Sequence, residues 1–361
     1  MQMKKLFPEY YRVNKKDLQE RFKDLVFVFD ANVLLDIFRL DQSITKEIFD
    51  VIKRYSSQIV IPYHAAEEYN KKIHIVLLQQ LDKIVAAQKA FDGFVQLLEA
   101  KRNQPYISSS SNEKLKDLKD SIQQDFDIQS QYLQEQLLHG ELQNKMSLLL
   151  EGKVLAPFTI DEIEAIKKEG ESRYNNKIPP GWKDNTKGEN SYGDLINWKE
   201  ILRFAKDNQK SVVFVTSDQK EDWVYKYNGM TVCPHYELLR EFHQSVGNTQ
   251  LIFHIYTLDR FLKFVHDQDE TLISEGTVKQ VRDILGDLQQ PNIANTISKF
   301  QESLKSISEA SRKYREYTEL MSKMQSVNRV KKMSGECIEQ DKSDDVLEKQ
   351  GDISPAENKA L

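Results

Sequence analysis

Cysteine is almost missing from this sequence. Cys233 and Cys337 are the whole complement in 361 residues, too few for a disulfide framework and too far apart for the spacings of a zinc site. No apolar run approaches the roughly 18 residues that a membrane-spanning helix needs. The start MQMKKLFPEYYR carries two lysines with neither an apolar stretch nor a cleavage site behind them, so a cytoplasmic protein without membrane contact is expected. There is no P-loop, no G-x-G-x-x-G, and no Ser or Cys in a nucleophile-elbow setting. Apolar residues are also scarce, at 39% with a mean hydropathy of −0.60 against 30% charged residues, which points to long solvated helices diluting a core. The net charge of −5 gives no global pull on nucleic acid, although local basic patches can still hold phosphate.

What is present begins with strands. LVFVFD at 25–30 is a short, almost wholly apolar run rich in Val and Phe, the pattern of a buried strand. QIVIP closes on Pro62, SVVFVTSD ends on Asp218, and TVC and LIFHIYT complete the set. Helical periodicity fills the gaps: NVLLDIFRL, SITKEIFDVIKRY, LINWKEILRFAKDN, KEDWVYKY, the stretch 236–243 and LDRFLKFV. Strands alternating with helices predict a mostly parallel sheet with helices on both faces. Two long amphipathic stretches, one running to Leu98 and one from Leu115 to Leu138, flank the polar segment NQPYISSSSN and predict an inserted helical hairpin. TIDEIEAIKKEGESRY reads as a further helix, and 177–194 carries too much Pro, Gly and polar residue to be regular. Beyond about 266 the pattern is helical only, through 278–288 and 297–324, and after Met333 it turns polar and reads as disordered. The expected division is therefore a domain over 1–265 with its helical insertion at about 70–175, a helical extension over 266–333, and a disordered tail over 334–361.

In an open parallel sheet, ligands sit beyond the carboxyl ends of the strands, so acids there matter most. Asp30 ends the first strand and Asp218 the strand SVVFVTSD, Glu67 and Glu68 fall about a turn after IVIP, and Asp194 opens a helix after the polar loop. Several carboxylates brought together repel, and a hard divalent cation with oxygen ligands relieves that repulsion, so Mg²⁺ or Mn²⁺ fits. Such a cluster, without His or Cys ligands, suits metal-assisted attack of water on a phosphodiester. Each acid also has a plain reading: Asp30 or Asn32 capping the next helix, Ser191 with Asp194 as an S-x-x-D cap, Asp218 capping KEDW, Glu67 and Glu68 on a solvated face. His64 reads as a structural or surface residue, and Trp182, Trp198 and Trp223 as core or rim packing. Lysines and arginines, among them Lys71, Lys72, Lys187 and Lys220, gather near predicted loops around the acids, as a phosphate-backbone substrate would require.

Five segments together resemble a known family. FDANVLLDIFR at 29–39, IPYHAAEEY at 61–69, IPPGWKDNTK at 178–187, YGDLINWKE at 192–200 and FVTSDQKEDW at 214–223 resemble, in order, the motifs of the PIN-like nucleases. The resemblance covers about 20–265 and is nearest to a bacterial subgroup with a long helical insertion between the second and third acidic motifs. It implies a three-layer α/β/α fold around a central parallel sheet, with three or four carboxylates holding Mg²⁺ or Mn²⁺ for cutting RNA, less often DNA. Carried onto this chain, the acids are Asp30, supported by Asn32, then Glu68, Asp194 and Asp218, with hydroxyls from Thr216 and Ser217. Asp222 and Asp184 are further metal candidates. Arg39, Lys187 and Lys220 join Asn32, Thr216 and Ser217 as candidate substrate contacts. Asp36 departs from the family pattern, standing where Asn is common.

The expectation is a metal-dependent endoribonuclease in which water attacks in line, leaving a 5′-phosphate and a 3′-hydroxyl. A phosphotransfer domain is the first rival, but the haloacid-dehalogenase type needs D-x-D where this chain has D-A-N, and receivers need adjacent acids there. A catalytically silent scaffold that binds RNA or a protein is the second. The extension is a candidate surface for a homo-oligomer or partner protein, and the biological setting, whether toxin, phage defence or RNA processing, stays open.

Overall fold

The computed structural model describes residues 2–99, 107–184, 191–227 and 230–289. The chain divides into two units, Met1–Gln290 and Pro291–Leu361, and every described residue belongs to the first. The helices expected over 297–324 and the polar tail lie outside the described residues. In order the elements are α1 (Gln2–Leu6), α2 (Lys15–Glu20), β1 (Leu25–Phe29), α3 (Ala31–Ile37), α4 (Gln42–Arg54), β2 (Ile59–Val60), α5 (Tyr63–Leu98), α6 (Ser109–His139), α7 (Glu141–Leu149), α8 (Ile160–Asn175) and α9 (Gly193–Asn208). Then follow β3 (Ser211–Val215), β4 (Val224–Tyr227), β5 (Met230–Pro234), α10 (Tyr236–Val246), β6 (Phe253–Tyr256), α11 (Leu258–His266) and α12 (Glu275–Gln289).

Four strands form a parallel sheet in the order β2-β1-β3-β6. Both central strands are buried along their whole length, which is why their sequences are apolar runs rather than alternations. Alternation survives in which face each residue serves. Leu25, Phe27, Phe29, Val213 and Val215 pack with α3, α4, α5, α11 and α12 on one side, while Val28, Val212 and Phe214 pack with α8, α9 and α10 on the other. Three layers result. On the first face, Phe261 of α11 meets Phe27 and Phe29 at ring-centroid separations of 4.9 and 5.2 Å; full burial of one such side chain contributes about 1.5–3 kcal/mol.

The inserted hairpin is α5 against α6, with 36 and 31 residues. At 1.5 Å per residue α5 is about 54 Å long, far longer than the sheet is wide, so its outer part buries little beyond Val95, and the hairpin leaves Ile75 and Leu78 of α5 and Leu138 of α6 exposed. After α7 the chain returns to the sheet edge, where Ile61 makes a parallel bridge with Val154. No helix among the described residues is long and apolar enough to cross a membrane.

One expected helix is a strand. KEDWVYKY contains β4, which pairs antiparallel with β5 in a separate two-stranded sheet. Only Asn228 and Gly229 separate β4 from β5, too short for the crossover a parallel partner needs, and Asn-Gly is the strongest short hairpin signal. The expected strand TVC therefore exists, within β5, but leaves the main sheet.

Candidate active site

Asp30 follows β1 directly, and its amide bonds Val215 O at the end of β3, 3.0 Å away. It does cap α3, since Oδ1 accepts from Ala31 N at 2.8 Å. Its other oxygen turns across the sheet edge, accepting from Thr216 Oγ1 at 2.7 Å and Asn32 Nδ2 at 3.3 Å. Burial pushes the Asp30 carboxyl up to about 7; the Thr216 bond opposes this, and the charges of Glu68 and Asp218 add to it. Those two acids, distant in sequence, thus stand near enough to Asp30 to act on its proton.

Asp218 leaves β3 three residues after Val215. Its amide donates to Thr216 Oγ1 at 3.0 Å, its Oδ1 accepts from Lys220 N at 2.9 Å, and its Oδ2 pairs with Lys220 Nζ at 2.6 Å. It closes a turn and does not cap a helix. The same Lys220 Nζ lies 3.8 Å from Asp194 Oδ2, so Asp194 joins the group through that lysine. Tyr192 holds the N-cap position of α9 and Asp194 sits in its first turn.

Glu68 is carried by α5, whose N-cap Pro62 has no side-chain cap of its own. The missing acceptor comes from α9. Glu200, 1% exposed, takes the amide of His64 on Oε2 at 3.2 Å and also that of Tyr63. Burial drives its carboxyl up to about 7, against the pull of those amides. Glu200 was not among the residues expected at the site. Its signal in the sequence, a charge one turn after Asn197, which is also buried, looks like any helix acid until its partners 136 residues away are known. Glu68 itself pairs with Lys72 at 2.5 Å, and Glu67 with Lys71 at 2.9 Å. His64 rests against the start of α9, where a Cβ on Gly193 would stand 2.9 Å from its Nε2.

The loop before α9 is seated by Asp222. This side chain is fully buried, and its Oδ2 accepts the amides of Gly181 at 3.0 Å and Lys183 at 3.2 Å. Its Oδ1 has no hydrogen-bond partner among the described residues; burial raises its pKa, and the Asp218 charge adds to that rise. Gly181 has φ +93°, and a Cβ there would lie 2.5 Å from Tyr174 Oη and 3.3 Å from Asp194 Cβ, so glycine lets the loop pass directly over Asp194. A buried ion network fixes the loop from behind. Arg173 grips Glu241 with bonds of 2.8 and 2.7 Å and also donates to Pro179 O, while Lys199 and Trp198 bond the same Glu241. Burial works against the Glu241 charge, yet Arg173, Lys199 and Trp198 outweigh it and hold the carboxyl down at about 2.

Among the candidate substrate contacts, Arg39 donates to Asp36 Oδ1 at 2.6 Å and Ser217 Oγ to Asp36 Oδ2 at 2.5 Å. Asp36, the departure from the family pattern, therefore ties α3 to the end of β3. Burial raises its pKa while Ser217 and Arg39 lower it. Lys187 and the side chain of Asp184 lie outside the described residues.

The donor set at this edge is all oxygen, as a hard divalent cation prefers, and Asn197 Oδ1, one turn along α9 from Asp194, is buried without a hydrogen-bond partner among the described residues. Among the described residues, however, no three His, Cys, Asp or Glu side chains already stand together at the spacing of a metal centre. Glu68 and Asp218 are each held by a lysine instead.

No curated protein and no solved structure matches the chain. A family model described as PIN like domain does match, over residues 26–238, which takes in the ends of β1, β2 and β3 and the start of α9. With the parallel sheet, the three layers and the acids at its carboxyl edge, that match over more than half the sequence makes this chain a member of the PIN-like domain family.

Proposed function

We propose that this protein is a metal-dependent endonuclease that hydrolyses phosphodiester bonds of RNA. The observation that carries the reading is Asp30, a buried carboxylate at the end of the central strand on which two other acids, Glu68 and Asp218, act; nuclease activity is also general in the family. Asp30, Glu68, Asp194 and Asp218 would hold one or two Mg²⁺ or Mn²⁺, with Asp222 adjoining. When bound, the metal supplies charge for the phosphoryl oxygens and lowers the pKa of the attacking water. The chain's own residues do the rest. Thr216 and Asn32 fix the direction of Asp30 Oδ2, Glu200 anchors the start of α5 and so aims Glu68, and the loop seated on Asp222 sets the place of Asp194. Lys220 and Arg39 would meet phosphate charge, and cleavage would leave a 5′-phosphate and a 3′-hydroxyl. RNA as the preferred substrate rests on the family resemblance of the motifs.

The test is incubation with labelled single-stranded RNA, single-stranded DNA and duplexes in Mg²⁺, Mn²⁺ or EDTA. RNA cleavage in metal and none in EDTA is expected, and no cleavage of any substrate in either metal rejects the reading. One observation favours a silent scaffold instead: Glu68 and Asp218 are each already paired with a lysine. RNA binding without cleavage would select that alternative.

A further inference from the structure

Two clefts open beside the acids and share part of their lining. One, about 460 Å³, reaches from Asn32 and Asp218 to Lys83 on α5. The other, about 420 Å³, lies between Arg260 of α11 and Arg282 of α12. Ser217 and Leu285 line both, so the two form one trough leading away from Asp218. One of its walls is the first helix of the inserted hairpin, and the other is α12, which lies beyond the family match ending at residue 238. The floor of the trough is the acid edge of the matched domain, with Asn32, Asp36, Ser217 and Asp218.

Its charge is opposite to that of the whole chain. Each acid in the lining already has a cation: Asp36 has Arg39 at 2.6 Å, Asp218 has Lys220 at 2.6 Å, and Asp259 has Arg282 Nε at 3.1 Å. Lys83 and Arg260 have no ion pair among the described residues and are left over as net positive charge. Arg282 uses only Nε on Asp259, itself bonded by Thr257 Oγ1 at 2.5 Å, so its terminal nitrogens make no hydrogen bond among the described residues. No aromatic residue lines either cleft, which removes base stacking and leaves backbone charge as what the trough can read. Each cleft has the volume of a small-molecule site, room for one extended strand and not for the width of a duplex.

We propose that the trough between α5 and α12 holds the phosphodiester backbone of a single strand on one side of the acid centre, through Lys83, Arg260 and Arg282. The inference rests on the nuclease reading for what happens at the acids, but binding can be measured without it. Fluorescence anisotropy of labelled single-stranded RNA and DNA in EDTA, across a salt series, compares the full chain with Arg260→Ala/Arg282→Ala and with Lys83→Ala on the opposite wall. The double variant is expected to raise Kd about tenfold and to flatten the slope of log K against log salt by about 1.4, and Lys83→Ala to flatten it by about 0.7, for both RNA and DNA. Unchanged slopes overturn the proposal, as do failure of the unaltered chain to bind and equal affinity for duplex. Weakened binding by the variants, with no cleavage by the unaltered chain in Mn²⁺, leaves the trough standing and removes the nuclease. Cleavage with normal binding by the variants does the reverse.

Discussion

Replacing Asp30 by Asn should abolish cleavage and at the same time stabilise the fold at neutral to alkaline pH. The carboxyl rises from an ordinary value of 3.8 to about 7 in the folded chain, and the residue is only 7% exposed, so solvent screening is slight. Unfolded chains lose this proton near 3.8 and folded ones near 7, so the contribution of Asp30 to stability is fully present below pH 4. It is lost as pH rises, and the loss is complete above 7. A rise of about three units at 1.36 kcal/mol each makes that loss about 4 kcal/mol. Asparagine never ionises, but its amide group faces the Thr216 hydroxyl, which must turn to accept, so a net gain of about 2 kcal/mol is the working figure. For a domain of this size that is a rise of about 3 °C in Tm. Melting curves without metal should put the variant lower at pH 4, where only the Thr216 mismatch acts, and higher by pH 8. Mg²⁺ should raise the Tm of the unaltered chain at pH 8 and leave that of Asp30→Asn almost unmoved. A variant less stable at pH 8, or one that cleaves RNA normally, would refute the reasoning.

Glu200→Gln keeps a carbonyl for the amides of Tyr63 and His64 but cannot ionise; since burial raises Glu200 from 4.5 to about 7, urea denaturation should show no difference near pH 4 and a gain of up to about 3 kcal/mol above pH 7. A loss at pH 8 would mean that the carboxylate, and not merely its oxygen, holds α5. Arg173→Ala leaves Glu241 with Lys199 and the Trp198 indole only and should cost about 3 kcal/mol in the same assay; a cost near zero would show that the network is ornamental to the loop. Gly181→Ala forces φ +93° on a residue with a Cβ and should lower stability by about 1–3 kcal/mol. Its cleavage rate should fall at least tenfold, because the displaced loop lies on Asp194; a rate equal to that of the unaltered chain would detach Asp194 from the reaction.

Much of the sheet was legible because burial on both faces leaves an unmistakable mark. LVFVF and SVVFV have no polar face, so they read as central strands, and the acids ending them stood out. The long hairpin was legible from period alone. The β4 strand was not, because Trp223 just before it and Val224 at its start are both buried while Tyr225 and Lys226 are exposed, a pattern with neither clean alternation nor a helical stripe; the Asn-Gly pair was the better signal. Asp222 entered as a further metal candidate through the family resemblance, and the seat it gives the loop, with one oxygen accepting amides some forty residues earlier, was not foreseen. Nothing local announces such a partner. Glu200 escaped for the same reason, since a cap supplied by one helix to the start of another has no sequence spacing to detect.

Burial alone does not decide what these carboxylates do. Glu241 and Glu200 are both drawn out of water, and desolvation is the largest influence on each. Glu241 meets a guanidinium, an ammonium and an indole N–H and stays charged, so it ties α8, α9 and α10 together behind the site. Glu200 meets two amides and the charge of Arg203, which do not offset its burial, and its pKa rises. Asp30 goes further, for its neighbours include two more acids, an arrangement that only destabilises the chain by itself. A fold keeps such a repulsive edge when something positive arrives to occupy it, whether a divalent ion at the acids or the lysines that stand there in this structure. The ion network behind the loop and the aromatic packing beneath β1 then have a common consequence: they hold rigid a site whose own charges favour opening it.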